Sequence, residues 1–279
     1  MVAGISWPTN MFIQASTIFT SRRLRAIALL AITLLASSAS TQAQPATNHV
    51  QQGRYQLLDS RDFPTQFFTQ GLIKDGKQLI VSSGLYGHSH IAMVAIDKGA
   101  ITQQKKLPAT VFAEGITRFD DKLILLSWQS ETAWQLHRQT LAIEKTWAFT
   151  GEGWGITHNQ QQLIVSDGTA QLQFRDPHTF ALTSTLAVTE NNKPLTKLNE
   201  LEFAQGKLWA NIWLEQRIVA INVQTGKVEL SIDLSDLTDD YHNQRTGSVL
   251  NGIAWDDEQQ GFWISGKRWP KIFLIRIIQ

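Results

Sequence analysis

A five-fold phase runs through this chain and decides what it can become. Gly71-Leu72, Gly115-Ile116-Thr117, Gly155-Ile156-Thr157, Glu200-Leu201 and Gly252-Ile253 each open a unit, and each is followed by a short polar turn and a second apolar run. Those runs begin at Leu79, Leu123, Leu163, Leu208 and Phe262, eight residues after the opening position in four units and ten in the fifth. Five copies at spacings of about 40 to 54 residues are the mark of a repeat architecture.

Within each unit the chain reads as short strands. A third segment alternates with period two, as in His90-Ile91-Ala92-Met93-Val94-Ala95 and Arg217-Ile218-Val219-Ala220-Ile221, which is the pattern of a half-buried strand. A turn such as Gln224-Thr225-Gly226 then leads into a fourth, Lys227-Val228-Glu229-Leu230-Ser231-Ile232. Four antiparallel strands per unit and five units predict an all-β fold, a five-bladed β-propeller over residues 54–279. The fifth unit ends after three strands, and Arg54-Tyr55-Gln56-Leu57-Leu58-Asp59 is left over at the other end. That N-terminal strand is expected to close the last blade, which removes two open sheet edges. An open sandwich of short strands explains neither the common phase nor the extra strand.

Residues 1–43 are expected to be a signal peptide. Arg22, Arg23 and Arg25 precede the apolar run Ala26–Ala36, too short for a stable membrane-spanning helix, and Thr41-Gln42-Ala43 offers a cleavage site before Gln44. An N-terminal anchor is the alternative. Cleavage after Ala43 implies a periplasmic or secreted protein with a flexible start over 44–53 and no stable membrane association. Without the leader the chain carries 22 basic and 24 acidic residues, so no polybasic surface for nucleic acid remains. The chain has no cysteine, which excludes thiol catalysis and thiolate metal sites. Its histidines form no HxxxH or HExxH pattern. No cofactor or metal is therefore expected, and a monomer is.

The repeat also says which residues are equivalent. In a propeller the first strand of each blade is innermost, so the residue before each Gly-Ile step lies at one mouth of the central channel. Those positions hold Gln70, Glu114, Trp154, Asn199 and Asn251. The second strand returns to the same mouth, where the chain places Gly84, Trp128, Gly168, Trp213 and Lys267. One acid, three tryptophans, two asparagines, a glutamine and a lysine thus converge on one end of the axis. Trp134, Trp147, Trp209 and Trp263 read instead as core. The long connection Ser235 to Val249 is a candidate cover for the mouth.

Phe68-Thr69-Gln70-Gly71-Leu72, Ser83-Gly84-Leu85-Tyr86-Gly87, Phe112-Ala113-Glu114-Gly115-Ile116-Thr117, Gly153-Trp154-Gly155-Ile156-Thr157, Ser166-Asp167-Gly168, Leu198-Asn199-Glu200-Leu201-Glu202, Ala210-Asn211-Ile212-Trp213, Leu250-Asn251-Gly252-Ile253-Ala254-Trp255 and Gly266-Lys267-Arg268-Trp269-Pro270 together resemble the plant-type glutaminyl-peptide cyclotransferases and their bacterial relatives. The nine motifs fall in register over residues 55 to 276. The resemblance implies a zinc-independent enzyme that converts the N-terminal glutamine of peptides and proteins to pyroglutamate with release of ammonia. It implies Glu114 as the proton-transferring acid/base and Phe68, Gln70, Phe112, Trp128, Trp154, Asn199, Trp213 and Lys267 around the substrate. Asn251 joins the substrate-binding set by its place in the repeat. Ala113 and the run His88-Ser89-His90 depart from the family pattern.

The residue types suit that chemistry. Attack of an α-amine on the γ-carboxamide of the same residue is intramolecular and needs chiefly the right conformer. Trp128, Trp154 and Trp213 can hold a folded-back side chain away from water, and one carboxyl group can take a proton from the amine and return it to the leaving nitrogen. Asn199 and Lys267 are the catalytic candidates for the charge that develops on the carboxamide oxygen. The competing reading is a non-catalytic propeller that binds peptides or carbohydrate. The acid among tryptophans speaks against it.

Overall fold

The computed structural model describes residues 49–278 apart from 243 and 245. The expected signal peptide, the cleavage site and residues 44–48 lie outside the described residues. Strand β1 (Gln51–Asp62) comes first, and the first unit follows as β2 (Thr69–Asp75), β3 (Gln78–Ser83), β4 (His90–Ala95) and β5 (Ala100–Lys106). The second unit is β6 (Ala113–Phe119), β7 (Lys122–Ser127), β8 (Thr132–His137) and β9 (Ile143–Ala148), and the third is β10 (Ile156–His158), β11 (Leu163–Ser166), β12 (Gln171–Arg175) and β13 (Leu182–Ala187). A two-stranded hairpin of β14 (Thr189–Glu190) and β15 (Lys193–Pro194) precedes β16 (Leu198–Ala204), β17 (Lys207–Ile212), β18 (Arg217–Ile221) and β19 (Val228–Asp233). A single-turn helix α1 (Ser235–Thr238) leads to β20 (Leu250–Asp256), β21 (Gly261–Gly266) and β22 (Lys271–Ile278).

The fold is all-β. The first three units are separate four-stranded antiparallel sheets with strands in chain order. The last two units join through β1 into one eight-stranded sheet, ordered β16-β17-β18-β19-β1-β22-β21-β20. The N-terminal strand therefore does more than complete the last unit. Arg54–Asp62 pairs antiparallel with Lys271–Ile278, as expected, but the strand starts at Gln51, and Gln51–Gly53 runs parallel to Leu230–Ile232 of β19. The expected boundary at residue 54 falls inside a strand that laces two neighbouring units together.

Burial follows the repeat. The first strands pack on one another, β2 against β6 and β20, β10 against β6 and β16, and β16 against β20. Apolar residues of the second and third strands fill the spaces between successive sheets. Ile80 and Ile91 meet Ile116, Leu123 and Leu125 in one such layer, and Trp209, Ile218 and Leu230 meet Ile253, Phe262 and Phe273 in another. Trp134, Trp147, Trp209 and Trp263 are all buried, as their alternation requires. Outermost strands such as β5 and β13 expose every second residue or more.

Candidate active site

The first strands break their regular pairing at the end that the repeat marks. The register shifts between Thr69 and Gly71, Ala113 and Ile116, Leu198 and Leu201, and Leu250 and Ile253. An irregularity of this kind re-aims a side chain out of strict alternation, and here it falls on Gln70, Glu114, Asn199 and Asn251. The glycine that follows is a packing requirement. A Cβ on Gly115 would lie 2.7 Å from the amide nitrogen of Ile156, and one on Gly155 would lie 2.1 Å from the carbonyl oxygen of Asn199. Glu200 stands at that step in the fourth unit and sends its buried carboxylate across, accepting from the backbone N–H groups of Ile253 at 2.7 Å and Leu72 at 3.3 Å.

A cavity of about 320 Å³ opens at this end, lined by Phe68, Gln70, Phe112, Glu114, Trp128, Trp154, Asn199, Trp213 and Lys267 with Leu85, Leu214, Gly247 and Val249. Nine of the ten residues singled out from the sequence are in that lining. Asn251 is not among them. It is fully buried behind Gln70, where its Nδ2 donates to Gln70 Oε1 at 3.1 Å and to the Thr69 carbonyl at 3.0 Å. The bulge in β20 turns it toward its neighbouring strand rather than toward the opening, so its place is to support Gln70. A larger cleft of about 560 Å³, lined by residues such as Lys74, Asp97, Asp256 and Glu258, gathers charged groups without an aromatic box. It contains none of the convergent residues.

Glu114 is 6 % exposed. Its Oε1 accepts from Gln70 Nε2 at 3.0 Å, and Ser82 Oγ bonds its main-chain oxygen, which fixes the backbone. Burial raises the carboxyl well above the ordinary glutamate range; the Lys267 charge opposes this, and the Glu152 charge adds to it. Burial likewise lowers the Lys267 ammonium, with Glu114 pulling the other way. The ammonium lies 4.9 Å from the centre of the Phe68 ring, a cation–π contact that retains a desolvated charge. Asn199 Oδ1 is buried with no hydrogen-bond partner in the protein.

The aromatic wall is built edge to face. Phe112 contacts Trp128 at 5.4 Å, Tyr86 at 5.4 Å and Phe68 at 6.3 Å between ring centres, and Trp154 contacts Trp213 at 5.5 Å. Gly84 and Gly168, which face the mouth in the repeat, are the spaces these rings occupy. A Cβ on Gly84 would lie 2.3 Å from Phe112, and one on Gly168, at φ +80°, would lie 2.7 Å from Trp154. The connection before β20 contributes Gly247 and Val249 to the lining, while Tyr241 anchors it on Trp269 and Phe273. Leu85, Leu214 and Val249 carry no chemical signal in the sequence and became visible only through the fold.

The family model for glutamine cyclotransferases matches residues 28–277. The chain belongs to the glutamine cyclotransferase family. A glutaminyl-peptide cyclotransferase of Arabidopsis thaliana is 34 % identical to it over 216 residues, covering 76 % of this chain and 68 % of the relative. The crystal structure of Myxococcus xanthus glutaminyl cyclase superposes with a TM-score of 0.77 at 28 % identity, covering 82 % of this chain and 98 % of the other. In this glutamine cyclotransferase the departures from the family pattern lie outside the cavity lining. Ala113 is fully buried beneath the site, and His90 Nδ1 is engaged with the His88 carbonyl at 2.8 Å.

Proposed function

We propose that this chain is a glutaminyl-peptide cyclotransferase working at the cavity around Glu114, on a five-bladed propeller formed by the cycle of first-strand contacts. The observation that carries the reading is one buried carboxyl group, oriented by Gln70, inside an aromatic box that also holds a desolvated lysine. The N-terminal glutamine of a peptide enters with its side chain folded back between Trp128, Trp154 and Trp213. Its α-nitrogen attacks the γ-carboxamide carbon, Glu114 takes the proton that the nitrogen sheds, and a five-membered ring forms. Negative charge gathers on the carboxamide oxygen, where the Lys267 ammonium and the Asn199 amide are the donors at hand. The C–N bond to the leaving nitrogen then breaks as Glu114 returns the proton, and ammonia departs.

The chemistry calls for no metal in this reading. Among the described residues no group of three or more His, Asp or Glu side chains is placed to hold one. Substrate arrives as an exported peptide if residues 1–43 direct the chain out of the cytoplasm. Mature protein recovered from the periplasm or medium with Gln44 at its start, converted to pyroglutamate, supports that placement; an intact leader removes it. The reaction is tested by mass spectrometry on Gln-initiated peptides with matched Asn-initiated and internal-Gln controls. Loss of one ammonia from the first alone establishes it, and binding without turnover returns the chain to the class of binding modules.

A further inference from the structure

Glu152 is a residue the repeat does not mark, two positions ahead of Trp154 in the connection between β9 and β10. Its Oε2 accepts from Trp128 Nε1 at 2.8 Å and from Trp154 Nε1 at 2.9 Å, and its Oε1 accepts from Gln129 Nε2 at 3.0 Å. An indole N–H is donor-only, so each ring has one way to satisfy its polar edge, and here both use the same oxygen. The two tryptophans belong to different units. Trp128 leads through Phe112 to Phe68 and Tyr86, and Trp154 leads to Trp213. Glu152 ties these two aromatic groups into one wall.

We infer that Glu152 is a positioning residue of the cavity: from behind the lining its carboxylate sets the orientation of Trp128 and Trp154, and its negative charge reaches Glu114. The inference rests on the cyclase reading for its kinetic consequences, but its geometric content does not. Charge-assisted hydrogen bonds are about twice as strong as neutral ones; burial pushes the Glu152 carboxyl up, and the bonds from Gln129, Trp154 and Trp128 together outweigh it and hold the group below the usual range. Glu114 senses two charged groups, Lys267 from the fifth unit and Glu152 from this connection. Removing the second makes it easier for Glu114 to ionise.

The two functions separate by substitution. In Glu152→Ala both indoles lose their acceptor, and KM for a Gln-initiated tripeptide is expected to rise about tenfold or more with a smaller change in kcat, as loss of a substrate-positioning wall predicts. Glu152→Gln keeps a carbonyl oxygen for the indoles, so KM stays within about threefold of the parent, while the acid limb of kcat/KM moves to lower pH. The surface variant Glu144→Gln serves as the control and changes neither. Indole ¹H–¹⁵N resonances, assigned through Trp128→Phe and Trp154→Phe, give a reading independent of turnover: both shift in Glu152→Gln and neither in Glu144→Gln. Equal KM for parent and Glu152→Ala, or a Gln variant as impaired in KM as the Ala variant, overturns the positioning role. Indole resonances that ignore Glu152→Gln overturn it as well, even where the Ala variant does not fold. A parent that does not cyclise glutamine sinks the functional reading instead and leaves the resonance result standing.

Discussion

Gln70 donates to Glu114 Oε1 at 3.0 Å while its own Oε1 accepts from Asn251 at 3.1 Å. The amide of Gln70 is thereby oriented from behind, and its donor end is committed to the carboxylate. Such a bond favours the ionised form of the acid. In Gln70→Ala the carboxyl loses that support in a site that already resists its charge. A hydrogen bond to a charged group is worth about 1.5–3 kcal/mol, so kcat/KM is expected to fall roughly 10- to 100-fold, with the acid limb of the profile moving to higher pH. An unshifted limb in steady-state kinetics across pH 5 to 9 would show that Gln70 acts on substrate alone.

Glu202 provides a test of the interior that leaves the chemistry untouched. Its Oε1 accepts from the Trp255 backbone N–H at 2.9 Å, and burial pushes the carboxyl up to about 7 from 4.5. A raised acid favours the protonated folded state, so its contribution is fully present below pH 4.5 and is lost as pH rises through about 7. Glu202→Gln cannot ionise and keeps an acceptor for Trp255. Relative to the parent, the variant should therefore gain stability between those limits, by up to roughly 3 kcal/mol for a shift of this size. Urea unfolding at pH 4.5, 6 and 8 measures the difference, and parallel curves for the two proteins exclude the effect. Glu200 shares this interior, held up by burial first and by the Glu202 charge second, so loss of that charge also eases its ionisation and adds to the contrast at the upper end.

The repeat made most of the site legible because one phase governs both packing and chemistry. The glycine that lets first strands touch also marks the position before it, which brings out Gln70, Glu114 and Trp154, and the same phase, with Glu200 in the glycine's place, brings out Asn199. Asn251 obeys the same phase but not the same direction. Periodicity gives a residue's place in a strand, whereas the direction of its side chain depends on a local shift in register that no spacing encodes. Glu152 lies outside the strands altogether, and its role depends on two indoles that arrive from separate units. Likewise, the early start of β1 at Gln51 depends on a parallel partner nearly 180 residues away, Leu230. Glu200 and Glu202 read as ordinary polar positions of a strand until the neighbouring backbones that they serve come into view.

Gly84 is expected to tolerate no side chain. A Cβ there would lie 2.3 Å from the ring of Phe112, and that ring touches Trp128, Tyr86 and Phe68. Overpacking of this kind typically costs about 1–3 kcal/mol. Gly84→Ala should lower the thermal midpoint and raise KM together, since displacing Phe112 disturbs the wall that holds the substrate. A variant with altered stability and unchanged KM would place Phe112 outside the binding surface.

Glu114→Gln separates a shuttle from a scaffold. The amide is nearly the same size and can still take part in a hydrogen bond with Gln70, so the fold, the aromatic wall and peptide binding should persist. An amide cannot accept the proton of the attacking amine or return one to the leaving nitrogen, and general acid–base catalysis typically contributes about 10²–10⁴-fold. A loss of that size in kcat, with KM little changed, is the expected result. The parent should show an acid limb above the ordinary glutamate range, since burial raises Glu114, and a basic limb below the ordinary lysine range, since burial lowers Lys267. In Glu114→Gln the acid limb should vanish from whatever activity remains. Trp213→Ala gives the opposite signature. That ring is 36 % exposed at the rim and contributes an edge-to-face contact with Trp154 at 5.5 Å, so its removal should act mainly on KM, by about 3- to 10-fold for an aromatic contact worth up to roughly 1.5 kcal/mol. A Glu114→Gln enzyme within a few-fold of the parent in kcat would move the proton transfer to another group and leave Glu114 a structural carboxylate.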